Sequence, residues 1–204
     1  MVIFVAGGAK SGKSMLAQCL AKSLAEGGRL LYLATMIPQD TEDHARITGH
    51  LEDRAGWGFL TEEHPFFPEH TTAGAADSVL LDSVTAVLQN MMFAPQSPVP
   101  PEQVLDRLNA SLELLCAKAG STVVVSDWIF SDAKVYEDLT LHYRSLLGRA
   151  NRQMARLADY VIEVTYGVPV FHKGNPSQLA GGMAHYAALH QGNQCTEQTG
   201  RAAQ

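Results

Sequence analysis

The sequence predicts an α/β fold with a mostly parallel β-sheet and helices on both of its faces. Two observations predict it: five apolar runs of β-type residues recur along the chain, and segments with helical periodicity follow each of the first four. Strands that are buried on both faces have this near-continuous apolar character. The predicted strands are Val2–Ala6, Arg29–Thr35, Ser78–Asp82, Thr122–Asp127 and Tyr160–Thr165. Ligands of such sheets bind beyond the carboxyl ends of the strands, so we expect functional residues directly after each strand.

The first predicted strand runs into a glycine-rich segment, Gly7-Gly8-Ala9-Lys10-Ser11-Gly12-Lys13-Ser14, which matches the phosphate-binding pattern G-x-x-x-x-G-K-S. The glycines let several backbone N–H groups point at one phosphate, and the following helix adds the positive end of its dipole. We expect Lys13 to reach the β- and γ-phosphates of a nucleotide and Ser14 to place its hydroxyl on Mg²⁺. The alternative is a glycine-rich turn that binds no ligand.

A helix is predicted directly after this loop. Leu16, Leu20 and Leu24 form an i, i+4, i+8 apolar stripe, and the pair Gly27-Gly28 supplies an end. Strand, loop and amphipathic helix therefore come in the order that phosphate binding requires. This order predicts a P-loop NTPase-like member of the α/β class.

A polar helix is predicted over residues 42–54, after the second strand. Arg46, His50 and Arg54 are spaced i, i+4, i+8 and share one face of it. Two guanidinium groups beside an imidazole suit a phosphate site, where the histidine could bind the phosphate or attack it. The alternative is a solvated helix face with an ordinary surface histidine.

An aspartate closes the third predicted strand. Asp82 at this position is expected to hold Mg²⁺ in a phosphate-loop protein. It could also cap the helix expected to begin at Ser83, and the two roles do not exclude each other. The fourth strand ends at Asp127, and the polar and aromatic segment after it is either a substrate loop or a surface connection.

Composition limits the class of protein. The 204 residues are 46% hydrophobic with a formal net charge of -6, which fits one domain and argues against nucleic acid as a partner. We find no apolar run of membrane-spanning length and no basic leader, so we expect a cytoplasmic protein without a membrane span. We expect a nucleotide-binding domain over residues 1–173 and a partly mobile tail over 174–204, in which Leu179–Leu189 could form a weak helix.

Several motifs along the chain resemble one family, the bifunctional adenosylcobinamide kinase / adenosylcobinamide-phosphate guanylyltransferases of cobalamin assembly. They occur in the family's order and with similar spacing over about residues 1–173. The motifs are G-G-A-K-S-G-K-S at 7–14, L-Y-L-A-T at 31–35, A-R-I-x-x-H at 45–50, T-x-E-x-P at 61–65, L-L-D-S-V-T…N-M-M-F-A at 80–94 and G-R-x-N at 148–151.

The resemblance implies two reactions on a corrinoid: phosphorylation of adenosylcobinamide, then transfer of GMP from GTP to that phosphate through a GMP–histidine intermediate. It implies GTP, ATP and Mg²⁺ as cofactors, and a homo-oligomer, typically a trimer. It implies two catalytic residues: His50, which is the nucleophile, and Lys13, which belongs to the phosphate loop. The nucleotide contacts that it implies, with Arg46 added from the helix face above, are Gly7, Gly8, Ala9, Lys10, Ser11, Gly12, Lys13, Ser14, Thr35, Met36, Ile37, Leu51, Glu52, Asp53, Arg54, Glu63 and Asp82, with Ser14 and Asp82 also on the metal.

The chain departs from the family after the fourth strand. The family's Asn-Glu-Val-Gly is replaced by Asp127-Trp128-Ile129-Phe130, and its Pro-Glu-Asn by Tyr136-Glu137-Asp138. Two alternatives therefore stay open: another P-loop small-molecule kinase, and a nucleotide-binding regulatory homologue that has lost one or both activities.

Overall fold

A computed structural model of the chain describes residues 1–38, 48–49, 54–130 and 136–189. Its strands are β1 (Val2–Gly7), β2 (Leu30–Ala34), β3 (Phe59–Glu63), β4 (Ser78–Asp82), β5 (Ser121–Asp127), β6 (Tyr160–Thr165) and β7 (Val168–Lys173). Its helices are α1 (Lys13–Ser23), α2 (Val84–Phe93), α3 (Val104–Lys118) and α4 (Asp138–Leu157), and a C-terminal helix covers residues 180–189.

The described strands form one seven-stranded sheet in the order β3-β2-β4-β5-β1-β6-β7. Neighbouring strands are parallel except at the β6–β7 hairpin, which is antiparallel. The predicted α/β class with a mostly parallel sheet is therefore confirmed. The five strands predicted from the sequence are the five central ones.

Both edge strands are absent from the sequence prediction, and their residues explain why. β3 has the sequence Phe-Leu-Thr-Glu-Glu with its charged end exposed, and β7 contains Pro169. An edge strand faces solvent on one side, so it tolerates charge and proline that a central strand excludes. Apolar runs consequently identify the centre of this sheet and miss its edges.

Two apolar cores cover the two faces of the sheet, because alternate strand residues point to opposite faces. Val79 and Leu81 of β4 pack with α2, α3 and α4 on one face. Leu80 of β4 packs with α1 on the other. Leu16 and Leu20 of the predicted stripe are fully buried in that second core, which confirms helices on both faces.

The C-terminal segment forms regular structure over residues 176–189. The helix at 180–189 matches the expected one, and it follows a short 3₁₀ turn at Pro176–Leu179. Leu179 and Tyr186 are buried in the core that α1 occupies. Residues 190–204 lie outside the described part of the chain.

Strand register brings four strand ends to one edge. Ala34 of β2 is paired with Asp82 of β4, and Gly7 of β1 is paired with Asp127 of β5. Asp82 in turn lies beside Val125, two residues before the end of β5. This edge carries the phosphate-loop motif. In the described ranges, none of the helices is long and apolar enough to cross a bilayer.

Candidate functional site

The glycine-rich loop joins β1 to α1 at the carboxyl edge of the sheet. Gly12 has φ +93°, a left-handed conformation that a side chain would strain. A Cβ on Gly7 would lie 2.6 Å from the carbonyl oxygen of Val164, so no side chain fits there. Within the loop, the N–H of Ser11 donates to the carbonyl of Gly8 at 3.3 Å. Two of the motif glycines are therefore required by the backbone itself.

The N-terminus of α1 suits an anion. Among the described residues, no side chain caps this helix, and its first turn contains no acidic residue. The first intrahelical bond runs from Leu16 N–H to Gly12 at 3.1 Å, so the amides before it have no helical acceptor. Exposed N–H groups and the positive end of the helix dipole together attract phosphate. Ala9 and Lys10 are exposed at this loop, whereas Ser11 is buried.

Lys13 folds back over the loop. Its Nζ donates to the carbonyl of Gly8 at 3.2 Å and lies 2.9 Å from Oδ1 of Asp127. The two side chains of this ion pair are 11% and 28% exposed. Lys13 thus lies at the phosphate loop, and its predicted contact with nucleotide phosphates stays a prediction. Asp127 is not among the predicted site residues, although its place at the end of β5, beside β1, was a signal for it.

The backbone of Asp127 is held in place by α2 and α4. Its N–H donates to Oγ1 of Thr85 at 3.0 Å, and its carbonyl accepts from Nδ2 of Asn151 at 3.3 Å. The hydroxyl of Ser126 donates to the other side of the same amide, Oδ1 of Asn151, at 2.7 Å. Asn151 belongs to the G-R-x-N motif. That motif therefore fixes the strand end that faces the phosphate loop.

Asp82 belongs to a second polar group at this edge. The hydroxyl of Tyr32 donates to Oδ2 of Asp82 at 3.3 Å, and the guanidinium of Arg54 lies 3.5 Å from the centre of the Tyr32 ring. Burial raises the pKa of Tyr32 far above its ordinary value, and the charge of Asp82 raises it further. Arg54 is 7% exposed, and its Nη1 has no hydrogen-bond partner among the described residues. A buried cation of this kind favours an anionic ligand.

Thr35 ties the end of β2 to the end of β4. Its fully buried hydroxyl donates to the carbonyl of Asp82 at 3.0 Å and accepts from the N–H of Ser83 at 2.8 Å. Nδ2 of Asn90 donates to the carbonyl of Thr35 at 2.6 Å. The hydroxyl of Ser83 caps α2, accepting from Ala86 N–H, so the capping role considered for Asp82 is wrong.

The remaining described candidates lie at the same edge. Met36 and Ile37 follow Thr35 and are half-buried. Glu63 ends β3 in register with Ala34 and is exposed. Five candidates fall outside the described residues, and their predicted roles stay predictions; these are Arg46, His50, Leu51, Glu52 and Asp53.

The donor set at this edge fits Mg²⁺. Ser14 is the second residue of α1, and Asp82 and Asp127 supply carboxylate oxygens from neighbouring strands. In the part of the chain that the structure describes, no group of three His, Cys, Asp or Glu residues converges on a metal site. Mg²⁺ that is held by one or two protein oxygens, with water and phosphate completing its shell, does not need such a group.

Comparison with known proteins gives consistent matches at the sequence level. The family model for cobinamide kinase / cobinamide phosphate guanyltransferase matches residues 3–171. The bifunctional adenosylcobalamin biosynthesis protein CobU of Salmonella typhimurium is 30% identical over 181 residues, covering 83% of this chain and 98% of that protein. The bifunctional protein CobP of Pseudomonas aeruginosa is 30% identical over 177 residues, covering 84% and 97%.

Likeness to solved structures is weaker. The flagellar accessory protein FlaH of Methanocaldococcus jannaschii superposes with a TM-score of 0.41 at 15% identity, covering 85% of this chain and 78% of that one. A likeness at this level supports no assignment.

Proposed function

Because the chain belongs to the cobinamide kinase / cobinamide phosphate guanyltransferase family, we propose that it phosphorylates adenosylcobinamide and then transfers GMP from GTP to the new phosphate. The observation that carries this proposal is the phosphate loop at residues 7–14, whose Lys13 lies at the sheet edge where β4 ends in Asp82. Arg54 packs over the ring of Tyr32, the residue whose hydroxyl binds Asp82. GTP and ATP are the nucleotide substrates, and a corrinoid is the acceptor.

Nucleotide binding is assigned to the loop and the start of α1. The uncapped amides of α1 and the ammonium of Lys13 hold the β- and γ-phosphates. Ser14 and Asp82 are the residues that would hold Mg²⁺, which neutralises phosphate charge when bound. Asp127 and a nucleotide phosphate would both draw on the ammonium group of Lys13.

In the kinase step, the acceptor hydroxyl attacks the γ-phosphorus and the nucleoside diphosphate leaves. In such a transfer the protein contributes to catalysis mainly by positioning the reactants and stabilising charge, and little by covalent chemistry. Lys13 and the α1 amides offset the charge on the phosphates, and Arg54 adds a buried cation beside Tyr32.

In the guanylyl step, we assign His50 as the nucleophile. Its imidazole attacks the α-phosphorus of GTP, a nitrogen–phosphorus bond forms and pyrophosphate leaves. The phosphate of the corrinoid then attacks the same phosphorus and frees the imidazole. Arg54 lies four residues after His50 in the sequence, and its Nη1, which has no hydrogen-bond partner in the described part of the chain, supports a role beside the transferred phosphate.

The Asp127–Lys13 ion pair favours a second candidate, a homologue that binds nucleotide but has lost one activity. A carboxylate stands here in place of the family's asparagine, and it neutralises the cation that both reactions need. This candidate predicts nucleotide binding with transfer of only one phosphate group, or of none.

Two labelled nucleotides separate the candidates. Incubation of the protein with adenosylcobinamide and γ-labelled nucleotide tests the kinase step and is expected to label the corrinoid. A separate incubation with adenosylcobinamide phosphate and α-labelled GTP tests the guanylyl step and is also expected to label the corrinoid. Label from only one nucleotide would identify the lost activity. Label from neither, with nucleotide binding intact, would exclude both corrinoid activities and leave a regulatory homologue or a kinase of another small molecule.

We also propose that the chain forms a homo-oligomer, a trimer by the family resemblance. Light scattering coupled to size exclusion is expected to give three times the chain mass of 22.1 kDa. A measured mass of 22.1 kDa, that of one chain, would contradict the trimer and would leave the nucleotide-binding proposal unchanged.

A further inference from the structure

The C-terminal helix contacts the phosphate loop although it lies beyond residues 3–171, the range that the family model matches. Tyr186 of this helix is 3% exposed, and its hydroxyl donates to the carbonyl of Gly167 at 2.9 Å. The same hydroxyl oxygen lies 2.8 Å from the point that a Cβ on Gly12 would occupy. We propose that Tyr186 is a positioning residue for the phosphate loop, an inference that rests on the nucleotide binding proposed above.

Gly167 is the link between Tyr186 and the loop. It lies in the turn of the β6–β7 hairpin, where Tyr166 and Gly167 both have positive φ, 51° and 79°. The N–H of Gly167 donates to the carbonyl of Ser11 in the phosphate loop at 2.9 Å. Tyr186 therefore holds the hairpin turn, and the hairpin turn holds the loop.

The Gly167 contact fixes the orientation of one loop amide. The peptide unit between Ser11 and Gly12 is planar and trans, so its carbonyl and its N–H point in opposite directions. With the Ser11 carbonyl bound to the hairpin, the Gly12 N–H points away from the hairpin. A loop whose amides are already oriented loses less entropy when it binds a phosphate.

Other contacts hold the C-terminal segment in place without the Tyr186 hydroxyl. The ring of His185 stacks on Trp57 with centroids 5.0 Å apart and planes 15° from parallel. The hydroxyl of Tyr160 donates to Gln178, and Leu179 is 2% exposed. Removing the Tyr186 hydroxyl therefore leaves these contacts of the segment in place and breaks the link to the hairpin turn.

Two tyrosine variants provide the test. Tyr186→Phe removes the hydroxyl that reaches the loop, and Tyr160→Phe removes a hydroxyl that also binds the C-terminal segment but is not linked to the loop. We expect GTP with Mg²⁺ to bind roughly threefold to tenfold more weakly to Tyr186→Phe, the factor that one net hydrogen bond represents. Tyr160→Phe is expected to bind GTP with an affinity within about twofold of that of the unchanged protein. The two variants are expected to lose similar amounts of thermal stability, since each loses one hydrogen bond.

Hydrogen exchange of residues 7–14 in the ligand-free chain gives a second readout. Exchange is expected to accelerate in Tyr186→Phe and not in Tyr160→Phe. Equal exchange and equal GTP affinity in the two variants would overturn the positioning role. If the unchanged chain binds no GTP, the proposed function fails, and the exchange comparison still decides whether Tyr186 orders the loop.

Discussion

Nζ of Lys13 lies 2.9 Å from Oδ1 of Asp127, so a carboxylate from the neighbouring strand neutralises the phosphate-loop cation. The pairing of Gly7 with Asp127 between β1 and β5 creates this contact, because Lys13 folds back towards Gly8. A nucleotide phosphate and Asp127 therefore compete for one ammonium group. Because the ion pair is partly exposed, its interaction energy is small enough for a nucleotide phosphate to bind the ammonium group.

Asp127→Asn is expected to increase nucleotide affinity in the absence of divalent cations, by roughly twofold to fivefold, since a partly exposed ion pair contributes little more. Calorimetry with GTP in the presence of a chelator measures it. Asp106→Asn, which removes one exposed carboxylate from α3, is the matched control and is expected to have no effect. Weaker binding by Asp127→Asn would mean that the carboxylate itself assists the ligand.

Lys13→Ala is expected to weaken the binding of both GTP and ATP by about 2–4 kcal/mol, because it removes a charged partner of the β- and γ-phosphates. Calorimetry with each nucleotide and Mg²⁺ measures the loss. Lys22→Ala removes an equal charge from the opposite end of α1 and serves as the control. Unchanged affinity of Lys13→Ala for both nucleotides would exclude the phosphate-loop assignment.

Thr35→Val is expected to lower the free energy of unfolding by about 1–3 kcal/mol, since the buried N–H of Ser83 and carbonyl of Asp82 lose their partner. Thr35→Ser keeps the hydroxyl and is expected to lose only about 0.8 kcal/mol for the methyl group. Urea unfolding of the two variants makes the comparison. A valine variant as stable as the unchanged chain would show that the hydroxyl contributes nothing.

Acid sensitivity is expected at Glu62. Burial opposes ionisation of this carboxyl, but hydrogen bonds from Thr72, Thr71 and His64 outweigh burial and lower its pKa to about 2, from an ordinary value of 4.5. The folded pKa lies below the unfolded one, so the ionised group stabilises the fold above about pH 4.5, and this contribution is lost as the pH falls towards 2.

The corresponding variant is Glu62→Gln, which cannot ionise. Between pH 5 and pH 2 its unfolding free energy is expected to fall by about 1 kcal/mol less than that of the unchanged chain, the value allowing for solvent screening. Glu102→Gln alters an exposed carboxylate and is the control. Chemical unfolding across this pH range measures the difference, and parallel curves for both variants would contradict it.

The sequence predicts the centre of the sheet and the phosphate loop because both have strong local signals. Buried parallel strands are continuously apolar, and the loop motif has fixed spacing. The edge strands β3 and β7 lack such signals, because solvent on their outer side removes the requirement for apolar residues.

The Asp127–Lys13 pair and the Tyr186 contact depend on tertiary structure. Residues 13 and 127 meet only because β5 inserts between β4 and β1, an order that local patterns do not encode. Tyr186 lies in a segment whose weak periodicity predicts only a marginal helix, and packing on α1 stabilises it. Contacts between distant segments are thus the part of the site that single-sequence patterns miss.

The mass of the intact chain after incubation with GTP and Mg²⁺ tests most directly whether His50 is the nucleophile. We predict a covalent GMP adduct that is labile in acid and stable in base, as a phosphoramidate is, and that maps to His50. The adduct is expected to be absent from His50→Asn and retained in His142→Asn, a change at an exposed position of α4. An adduct that persists in His50→Asn, or that maps to His44, His64 or His70, would contradict the account, as would the absence of any adduct from the unchanged chain.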